Sequence, residues 1–323
     1  MPGRARNPIV DFIVIGTQKA ATSSLFEYLR RHPQLHLPPE KETRFFYDDA
    51  LFELGPEWYE REFFARVPAD AVRGEVTPQY MAGYTVRGLM PAGGGAHTVP
   101  ERIRATCPGV RMVAMLRDPI TRFRSAHAME TMRGDETRPF AAAAAELLSQ
   151  ASLSETRTWS NATSSYVVRG EYARILRPWY ELFPAEQLHI VFAEELGEDP
   201  APVFAAVLRH LGVDDGFVPP NLGRRYRPGS VKRRVPVAPT TWPGAATRDT
   251  LRPAWRRLPA GLRARVHRAH RRAIYRVELW NRATGAPPED LDAELVRRLI
   301  DHHRPDADWL ADLLGRRPPW PWA

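Results

Sequence analysis

Three stretches of the chain carry uninterrupted apolar runs of strand length. They are DFIVIG at Asp11–Gly16, VRMVAMLR at Val110–Arg117 and QLHIVFAEEL at Gln187–Leu196. Runs of this kind, rich in β-branched residues and without polar alternation, are typical of strands that are buried on both faces. A shorter run, AVRGEV at Ala71–Val76, predicts one more strand.

The segments between these runs show helical spacing of their apolar residues. Leu25, Tyr28 and Leu29 share one face of a helix that follows the first strand, with Thr22 or Ser23 as its N-cap. Further helices are predicted over Pro139–Leu148, Gly170–Phe183 and Ala201–Leu211. Strands that alternate with helices predict an α/β fold, in which helices flank a central parallel sheet.

The rest of the pattern divides the chain into segments of one domain. We predict a single domain over 1–323, with a core at 8–222, a basic lid or helical segment at 223–285 and closing helices at 286–323. The basic segment is rich in Arg and Pro, and the closing segment predicts two helices on either side of Pro305. Glycine-rich Met90–Pro100 predicts a surface loop.

Composition indicates a soluble protein in a reducing compartment. The formal net charge is +8, which favours an anionic partner such as nucleic acid, a membrane surface or a phosphorylated small molecule. Cys107 is the single cysteine, which excludes a disulfide framework and a cysteine-based metal cluster. No apolar stretch approaches the roughly 20 residues of a membrane span, so we expect no span and a cytoplasmic location.

The segment after the first strand, GTQKAATSS at Gly16–Ser24, has the composition of an anion-binding loop. A strand, a turn of small residues and a helix start allow backbone N–H groups to converge on an anion, and the helix dipole adds to the attraction. Lys19 contributes a positive charge, and Thr22 and Ser23 contribute hydroxyl groups. The lysine comes too early for a P-loop, whose second Gly and Lys directly precede Ser or Thr.

A second candidate segment, RDPITRFRS, starts at the end of another predicted strand. The Arg117 guanidinium and the Ser125 hydroxyl would hold a phosphate at the same edge of the sheet. The alternative is that Asp118 and Pro119 only start a helix. Two phosphate sites at neighbouring strand ends predict nucleotide-dependent group transfer.

A third segment, KETRFF, places the carboxylate of Glu42 between Lys41 and Arg44 and before two aromatic residues. If that carboxylate is partly buried, it would serve as a general base. The alternative is a surface ion pair in front of a core anchor.

Together these segments resemble the sulfotransferases that use 3′-phosphoadenosine 5′-phosphosulfate (PAPS). GTQKAATSSL is similar to the family's 5′-phosphosulfate-binding pattern, Gly-x-x-Lys-x-Gly-Thr-Thr-x-Leu, and LRDPITRFRSAH to its 3′-phosphate-binding pattern, Arg-Asp-Pro-x-x-Arg-x-x-Ser. PPEKETRFF, GEVTPQY and VVRGEYARIL resemble further segments of bacterial sulfotransferases and of the heparan sulfate sulfotransferase group, in the same order. The resemblance implies a P-loop nucleotide-kinase-like fold with a helical, Arg-rich C-terminal part.

The resemblance also implies roles for single residues. PAPS would be the donor, no metal would be needed, and the acceptor would be a hydroxyl, less often an amine, of a small molecule or carbohydrate. Lys19 would contact the oxygen that bridges phosphate and sulfate, and Glu42 stands where the heparan sulfate enzymes place their base. The implied donor-binding residues are Thr17, Gln18, Lys19, Ala20, Ala21, Thr22, Ser23, Arg117 and Ser125, with Arg225 and Tyr226 in a loop that closes over the nucleotide.

Two positions depart from the family's patterns. Ala21 stands at the second Gly of the phosphosulfate pattern, and an added methyl group is tolerable there if φ is negative. Val76 stands where the heparan 3-O-sulfating enzymes have a lysine, which argues against assuming a heparan-like acceptor.

Several alternatives stay open at this point. A histidine, His36 or His127, would replace Glu42 as the base. A P-loop kinase or NTPase would need the Gly-Lys-Ser/Thr order that KAATSS lacks, and nucleic-acid binding would use the basic residues of 224–276, although no nucleic acid partner is expected. Aromatic residues in the predicted acceptor loops suit a flat or apolar secondary metabolite as well as a sugar; these loops are 47–64, 80–100 and 134–165.

Overall fold

The computed structural model describes residues 9–68, 71–84, 86–87, 90–91, 98–158, 161–226, 231–233, 262, 282–284 and 291–323. A five-stranded sheet lies at their centre. Its strands are β1 (Phe12–Gly16), β2 (Leu35–His36), β3 (Val72–Val76), β6 (Arg111–Leu116) and β7 (Leu188–Phe192), in the order β2-β3-β1-β6-β7. All four pairings are parallel. Two small antiparallel pairs join β4 (Val86–Arg87) to β5 (Met90–Pro91) and β8 (Val231–Arg233) to β9 (Arg282–Thr284).

The central strands confirm the apolar runs. Every residue of β1 is buried, and alternate side chains enter different clusters: Ile13 and Ile15 face one side of the sheet, while Phe12 and Val14 face the other. The register places Phe12 opposite Gly74 of β3. A Cβ on Gly74 would lie 2.0 Å from the Phe12 ring, so only glycine fits beneath that ring.

Helices cover both faces, which confirms the predicted α/β fold. They are α1 (Thr22–Leu29), α2 (Asp49–Phe52), α3 (Pro56–Phe64), α4 (Val99–Thr106), α5 (Pro119–Arg133), α6 (Phe140–Leu147), α7 (Gln150–Thr158), α8 (Tyr172–Leu182), α9 (Ala193–Glu198), α10 (Pro200–Leu211) and α11 (Ala293–Leu314). Helices α3, α4, α8 and α11 contribute to the core on one face, and α1 and α10 to the core on the other. No helix in the described ranges has the length and apolar content to cross a membrane.

One prediction about the closing segment is wrong. Helix α11 continues through Pro305 instead of breaking there. Proline removes one backbone hydrogen bond, but packing against α8 holds the helix directly after it. The Asp306 carboxylate accepts a hydrogen bond of 2.8 Å from the backbone N–H of Ala173, and the Trp309 ring meets the edge of Tyr180 at 6.1 Å.

Three local predictions also need correction. The N-cap of α1 is Ala21 and neither Thr22 nor Ser23, because a left-handed turn at Ala21 leads the chain directly into the helix. The run at Gln187–Leu196 divides into β7 and the start of α9. The predicted loop at Met90–Pro100 contains β5 and the first residues of α4. Most of the basic segment 223–285 lies outside the described residues.

Candidate active site

The carboxyl ends of β1, β3 and β6 lie side by side, which is where ligands of parallel α/β sheets bind. The turn after β1 is shaped by its backbone. A Cβ on Gly16 would lie 2.6 Å from the Cβ of Met81 and 2.7 Å from the Pro78 carbonyl oxygen, so only glycine fits at the strand end. Lys19 and Ala21 follow with φ of 72° and 59°. Left-handed residues placed in alternation curl the main chain so that successive N–H groups can face one anion.

Ala21 adopts the backbone conformation that a glycine would favour. The expectation that its φ would be negative is wrong, because φ is 59° and ψ is 13° at the N-cap of α1. For a residue with a Cβ the left-handed conformation costs about 1–2 kcal/mol. The loop therefore keeps the shape of the glycine-containing family pattern and carries strain at this residue.

Ala21→Gly is expected to raise the free energy of unfolding by up to about 1.6 kcal/mol. Relief of about 1–2 kcal/mol of strain is partly offset by about 0.4–1 kcal/mol from the greater freedom of glycine in the unfolded chain. Urea denaturation measures the difference. Ala20→Gly is the matched control and should destabilise, because Ala20 is buried and has no positive φ. An Ala21→Gly protein less stable than the wild type would contradict the strain.

Lys19 connects this turn to the neighbouring strand and helix. Its carbonyl oxygen accepts a hydrogen bond of 3.1 Å from Nη1 of Arg117, and its Nζ lies 3.8 Å from Sδ of Met129 on α5. Glu130, which follows Met129 on α5, is buried. Burial raises the pKa of its carboxyl group, and the positive charges of Arg133, Arg169 and Lys19 oppose that shift. Lys19 therefore contacts both Arg117, directly after β6, and Met129 on α5.

Three arginines gather at this edge of the sheet. Arg122 is 1% exposed, and burial lowers its pKa to about 10, with further lowering by Arg169 and Arg117. Arg169 donates 2.9 Å hydrogen bonds to Oε1 of Gln18 and to the Tyr84 hydroxyl. Among the described residues, Nε of Arg122 and Nε of Arg169 are buried without a hydrogen-bond partner. Such a cluster suits a polyanionic ligand.

The RDPITRFRS segment starts α5 and holds Arg117 by its main chain. The Tyr172 hydroxyl donates a 2.6 Å hydrogen bond to the Arg117 carbonyl oxygen. Arg117 is half-buried, and Ser125 is half-buried about two turns along α5. Arg117 therefore stands directly after β6, and Ser125 lies on the helix that follows.

Asp118 fixes the start of α5 from two directions. One carboxylate oxygen accepts a 2.7 Å hydrogen bond from the Thr121 N–H, as an N-cap does. The other oxygen accepts a 2.5 Å hydrogen bond from the indole N–H of Trp322, beyond α11. The Asp118 N–H in turn donates to Oε1 of Glu194 at 2.9 Å. Asp118 therefore starts α5, as the alternative interpretation of RDPITRFRS predicts.

Glu42 lies on the loop between β2 and α2, beside the turn that contains Lys19. Its φ is 72°, and its N–H donates a 3.0 Å hydrogen bond to the Val76 carbonyl oxygen. Its carboxylate accepts a hydrogen bond of 3.2 Å from Nε2 of Gln79 and lies 3.6 Å from Nζ of Lys41. The side chain is 17% exposed. It is the partly buried carboxylate that a base requires.

The loop that carries Glu42 is anchored by a buried carboxylate. Glu75 on β3 is 1% exposed, and its oxygens accept hydrogen bonds from Thr43, from Thr77 at 2.8 Å, from Tyr59 at 2.9 Å and from Tyr80 at 3.2 Å. Burial raises the pKa of Glu75, and the hydroxyl hydrogen bonds oppose that shift. Because Thr43 follows Glu42 directly, this cluster determines where Glu42 stands.

Lys41 joins the Glu42 loop to the start of α1. Its Nζ donates hydrogen bonds of 3.0 Å to the Thr22 hydroxyl and 3.3 Å to the Ser23 hydroxyl. The flanking Arg44 contacts the hydroxyl of Tyr47 at 2.7 Å and Asp48 at 3.4 Å. The predicted ion pair between Lys41 and Glu42 is therefore largely buried, and it lies beside the start of α1.

The two histidines named as alternative bases occupy different surroundings. His127 is buried against Phe140 and Tyr166, and its Nε2 lies 2.9 Å from the Arg138 carbonyl oxygen. This is the environment of a core histidine. His36 ends β2 and is half-buried.

The predicted closing loop reaches α1. The Tyr226 N–H donates a 3.0 Å hydrogen bond to the Ser24 hydroxyl, and its ring meets the edge of Tyr28. Arg225 is exposed, and a Cβ on Gly197 would lie 3.5 Å from its Nη2. The loop therefore stands beside the helix that begins at the anion-binding turn.

Several aromatic residues of the predicted acceptor loops lie in the core instead of lining a pocket. Tyr59 and Tyr80 are fully buried around Glu75, and Trp58 packs in the same core, so these three anchor the fold. Trp159 lies outside the described residues. Cys107 is also buried, and burial raises the pKa of its thiol to about 12, which makes it a poor nucleophile at neutral pH.

Sequence reasoning missed Lys41, Arg122 and Arg169 as parts of the site. The sequence alone indicates only an ion pair for Lys41, and Arg122 matches the second Arg of the 3′-phosphate pattern without a role of its own. Arg169 carried a usable signal, since it lies in the VVRGEY segment.

The sequence of this chain is similar to those of known proteins. A family model described as sulfotransferase domain matches residues 10–219. Heparan sulfate glucosamine 3-O-sulfotransferase 6 of Homo sapiens is 30% identical over 214 residues, which are 66% of this chain and 54% of that protein. Heparan sulfate glucosamine 3-O-sulfotransferase 3B1 of Mus musculus is 28% identical over 211 residues, 65% of this chain and 48% of that protein. The chain thus spans about half the length of these relatives.

The fold has a counterpart among solved structures. A sulfotransferase from Alicyclobacillus acidocaldarius shares the fold with a TM-score of 0.61, at 20% identity and with 98% of each chain covered. The family match begins in front of β1 and ends beyond α10, so it contains the anion-binding turn, the Glu42 loop and the arginine cluster. By that match, this chain belongs to the sulfotransferase family.

Proposed function

We propose that this protein transfers the sulfuryl group of PAPS to a hydroxyl group of a small-molecule or carbohydrate acceptor. One observation carries the proposal: Lys41 bridges the turn that would hold the 5′-phosphosulfate and the loop that presents Glu42. The proposed donor site and the proposed base would thereby share one edge of the sheet. An amine acceptor is the less favoured variant.

The residues at this edge fit PAPS by their chemistry. The turn at Thr17, Gln18, Lys19, Ala20 and Ala21 would hold the 5′-phosphosulfate with its N–H groups, together with Thr22 and Ser23 at the helix start. Arg117 and Ser125 would hold the 3′-phosphate, and Arg225 and Tyr226 would close the nucleotide site. The buried, unpartnered Nε groups of Arg122 and Arg169 add donors that favour a polyanion.

The proposed reaction needs positioning, charge stabilisation and removal of one proton. PAPS supplies a sulfuryl group that moves in line to the acceptor oxygen, with a single phosphate ester as leaving group. Lys19 would stabilise the negative charge that grows on the leaving oxygen. Glu42 would accept the acceptor's proton. His36 is the remaining histidine candidate, since His127 is a core residue.

The acceptor class is proposed from the same site and from the relatives. Two relatives are named for heparan sulfate glucosamine, which favours a carbohydrate hydroxyl. Val76 replaces their lysine beside the base, so we propose a hydroxylated acceptor without assuming heparan sulfate.

Donor binding is the first test. The product 3′,5′-bisphosphoadenosine (PAP), at 100 times its dissociation constant, should stabilise the fold by about 2.7 kcal/mol and raise the melting temperature. ATP with Mg²⁺ should leave it unchanged. Sulfate transfer from PAPS to a panel of hydroxylated acceptors then identifies the acceptor. Stabilisation by ATP with Mg²⁺ but not by PAP would favour a kinase and overturn the proposal.

A further inference from the structure

Lys41 stands between the proposed donor site and the proposed base. Its side chain is 10% exposed, and its Nζ lies 3.0 Å from the Thr22 hydroxyl, 3.3 Å from the Ser23 hydroxyl and 3.6 Å from the Glu42 carboxylate. One ammonium group therefore contacts both halves of the site. This inference rests on the proposed function, since it assigns a role within that site.

The hydrogen-bond chemistry of lysine sets the direction of these contacts. An ammonium group has three donors and no acceptor, so the Thr22 and Ser23 oxygens must accept from Lys41. Their own O–H groups remain able to donate. At the N-terminus of α1, where backbone N–H groups also point outward, such hydroxyl groups are oriented to donate to a phosphate. Lys41 thus prepares both hydroxyl groups before the donor arrives.

The position also brings a second positive charge to the phosphate. A phosphate that accepts from both hydroxyl groups lies one hydrogen-bonded atom away from Nζ of Lys41. The flexible four-carbon side chain allows the ammonium to reach the phosphate directly. Lys19 approaches from the turn itself, whereas Lys41 approaches from the loop after β2.

Contact with Glu42 couples this charge to the base. The Lys41 ammonium faces the Glu42 carboxylate at 3.6 Å. A phosphosulfate carries more negative charge than one carboxylate. Binding of the phosphosulfate therefore draws Lys41 towards the phosphate and weakens the contact between Lys41 and Glu42. The carboxylate is then less strongly paired with Lys41 and can take the acceptor's proton.

We infer that Lys41 is a second donor-binding lysine, which orients Thr22 and Ser23 towards the 5′-phosphate and releases Glu42 when the donor binds. The assignment also bears on Val76, which stands where the resemblance places a lysine in the heparan 3-O-sulfating enzymes. The Val76 carbonyl oxygen accepts the Glu42 N–H at 3.0 Å, but its side chain carries no charge. Lys41 supplies from the loop the cation that residue 76 does not supply from the strand.

Lys41→Met tests the assignment by PAP binding and by turnover. Calorimetric titration with PAP should give a dissociation constant about 10-fold or more above the wild type, as expected for loss of a charged hydrogen-bond donor. With PAPS and the acceptor from the screen, kcat should fall about 100-fold. Lys41→Arg should recover part of the PAP affinity. Lys41→Gln serves if the Met variant does not fold, because it can still hydrogen-bond but has no charge.

A second arm tests the coupling to the base. In a double-mutant cycle with Glu42→Gln, the combined loss in kcat should be smaller than the product of the two single losses, because each removes one side of one contact. Arg30→Met is the matched control: it removes one positive charge from the end of α1, where the side chain is 44% exposed, and should leave PAP affinity unchanged.

The outcomes separate the two proposals. PAP affinity equal to the wild type in Lys41→Met overturns the donor-binding role, whatever its kcat. Independent losses in the double-mutant cycle overturn the release of Glu42. A wild-type protein that does not bind PAP overturns the proposed function itself.

Discussion

Glu42→Gln should lower kcat by about 10²- to 10⁴-fold, the usual contribution of a general base, and leave PAP affinity near the wild-type value. Glutamine keeps the size of the side chain and its hydrogen bond from Gln79 but cannot take a proton at neutral pH. The donor contacts lie on the turn and on α1, across Lys41 from the carboxylate. Steady-state kinetics with PAPS and the identified acceptor, together with calorimetric titration of PAP, measure both quantities.

The matched control for this substitution is Glu57→Gln, an exposed glutamate at the start of α3. It should leave kcat unchanged. Near-normal turnover by Glu42→Gln would remove Glu42 from the role of base. The same kinetics on His36→Ala would then test the half-buried histidine at the end of β2.

Lys19→Met should lower kcat by about 10²- to 10³-fold, as loss of an oxyanion-stabilising donor does elsewhere. Negative charge grows on the leaving phosphate oxygen only as the sulfuryl group departs, so the lysine stabilises the transition state more than the bound donor. PAP affinity should fall less than kcat. Parallel measurements of kcat, KM for PAPS and PAP affinity separate these effects.

Lys19→Arg is the comparison variant, since it retains the charge near Met129 and should recover part of the rate. A Lys19→Met enzyme that loses PAP affinity but keeps its kcat would reassign Lys19 to ground-state binding. A disrupted turn would not explain that result, because the contact between Arg117 and the Lys19 carbonyl oxygen uses the main chain of Lys19.

The sheet and the turn after β1 could be predicted from sequence because their determinants are local. A run such as FIVIG fits only a strand buried on both faces, and Lys19 with its small neighbours marks the turn that follows it. The φ of Ala21 could not be predicted, because alanine ordinarily avoids the left-handed region. Ala21 takes this conformation because the chain has to turn there into α1.

Contacts between distant residues account for what sequence reasoning missed. Arg169 meets Gln18 across 151 positions of the chain, and no local pattern reports such a pairing. The continuous helix through Pro305 has the same origin. Local propensity predicts a break, whereas packing of Asp306 and Trp309 against α8 holds the helix together.

The hydrogen bond from Trp322 to Asp118 has a consequence for the order of folding. It joins positions 204 residues apart, and closing a loop of that length is entropically costly and slow. The family match ends at residue 219, so a fragment cut at that boundary would lack the indole that supports the start of α5. We expect the start of α5, which closely follows Arg117, to gain this support only when the distant Trp322 docks. Nucleotide affinity would therefore report completed folding of the chain, beyond formation of the sheet.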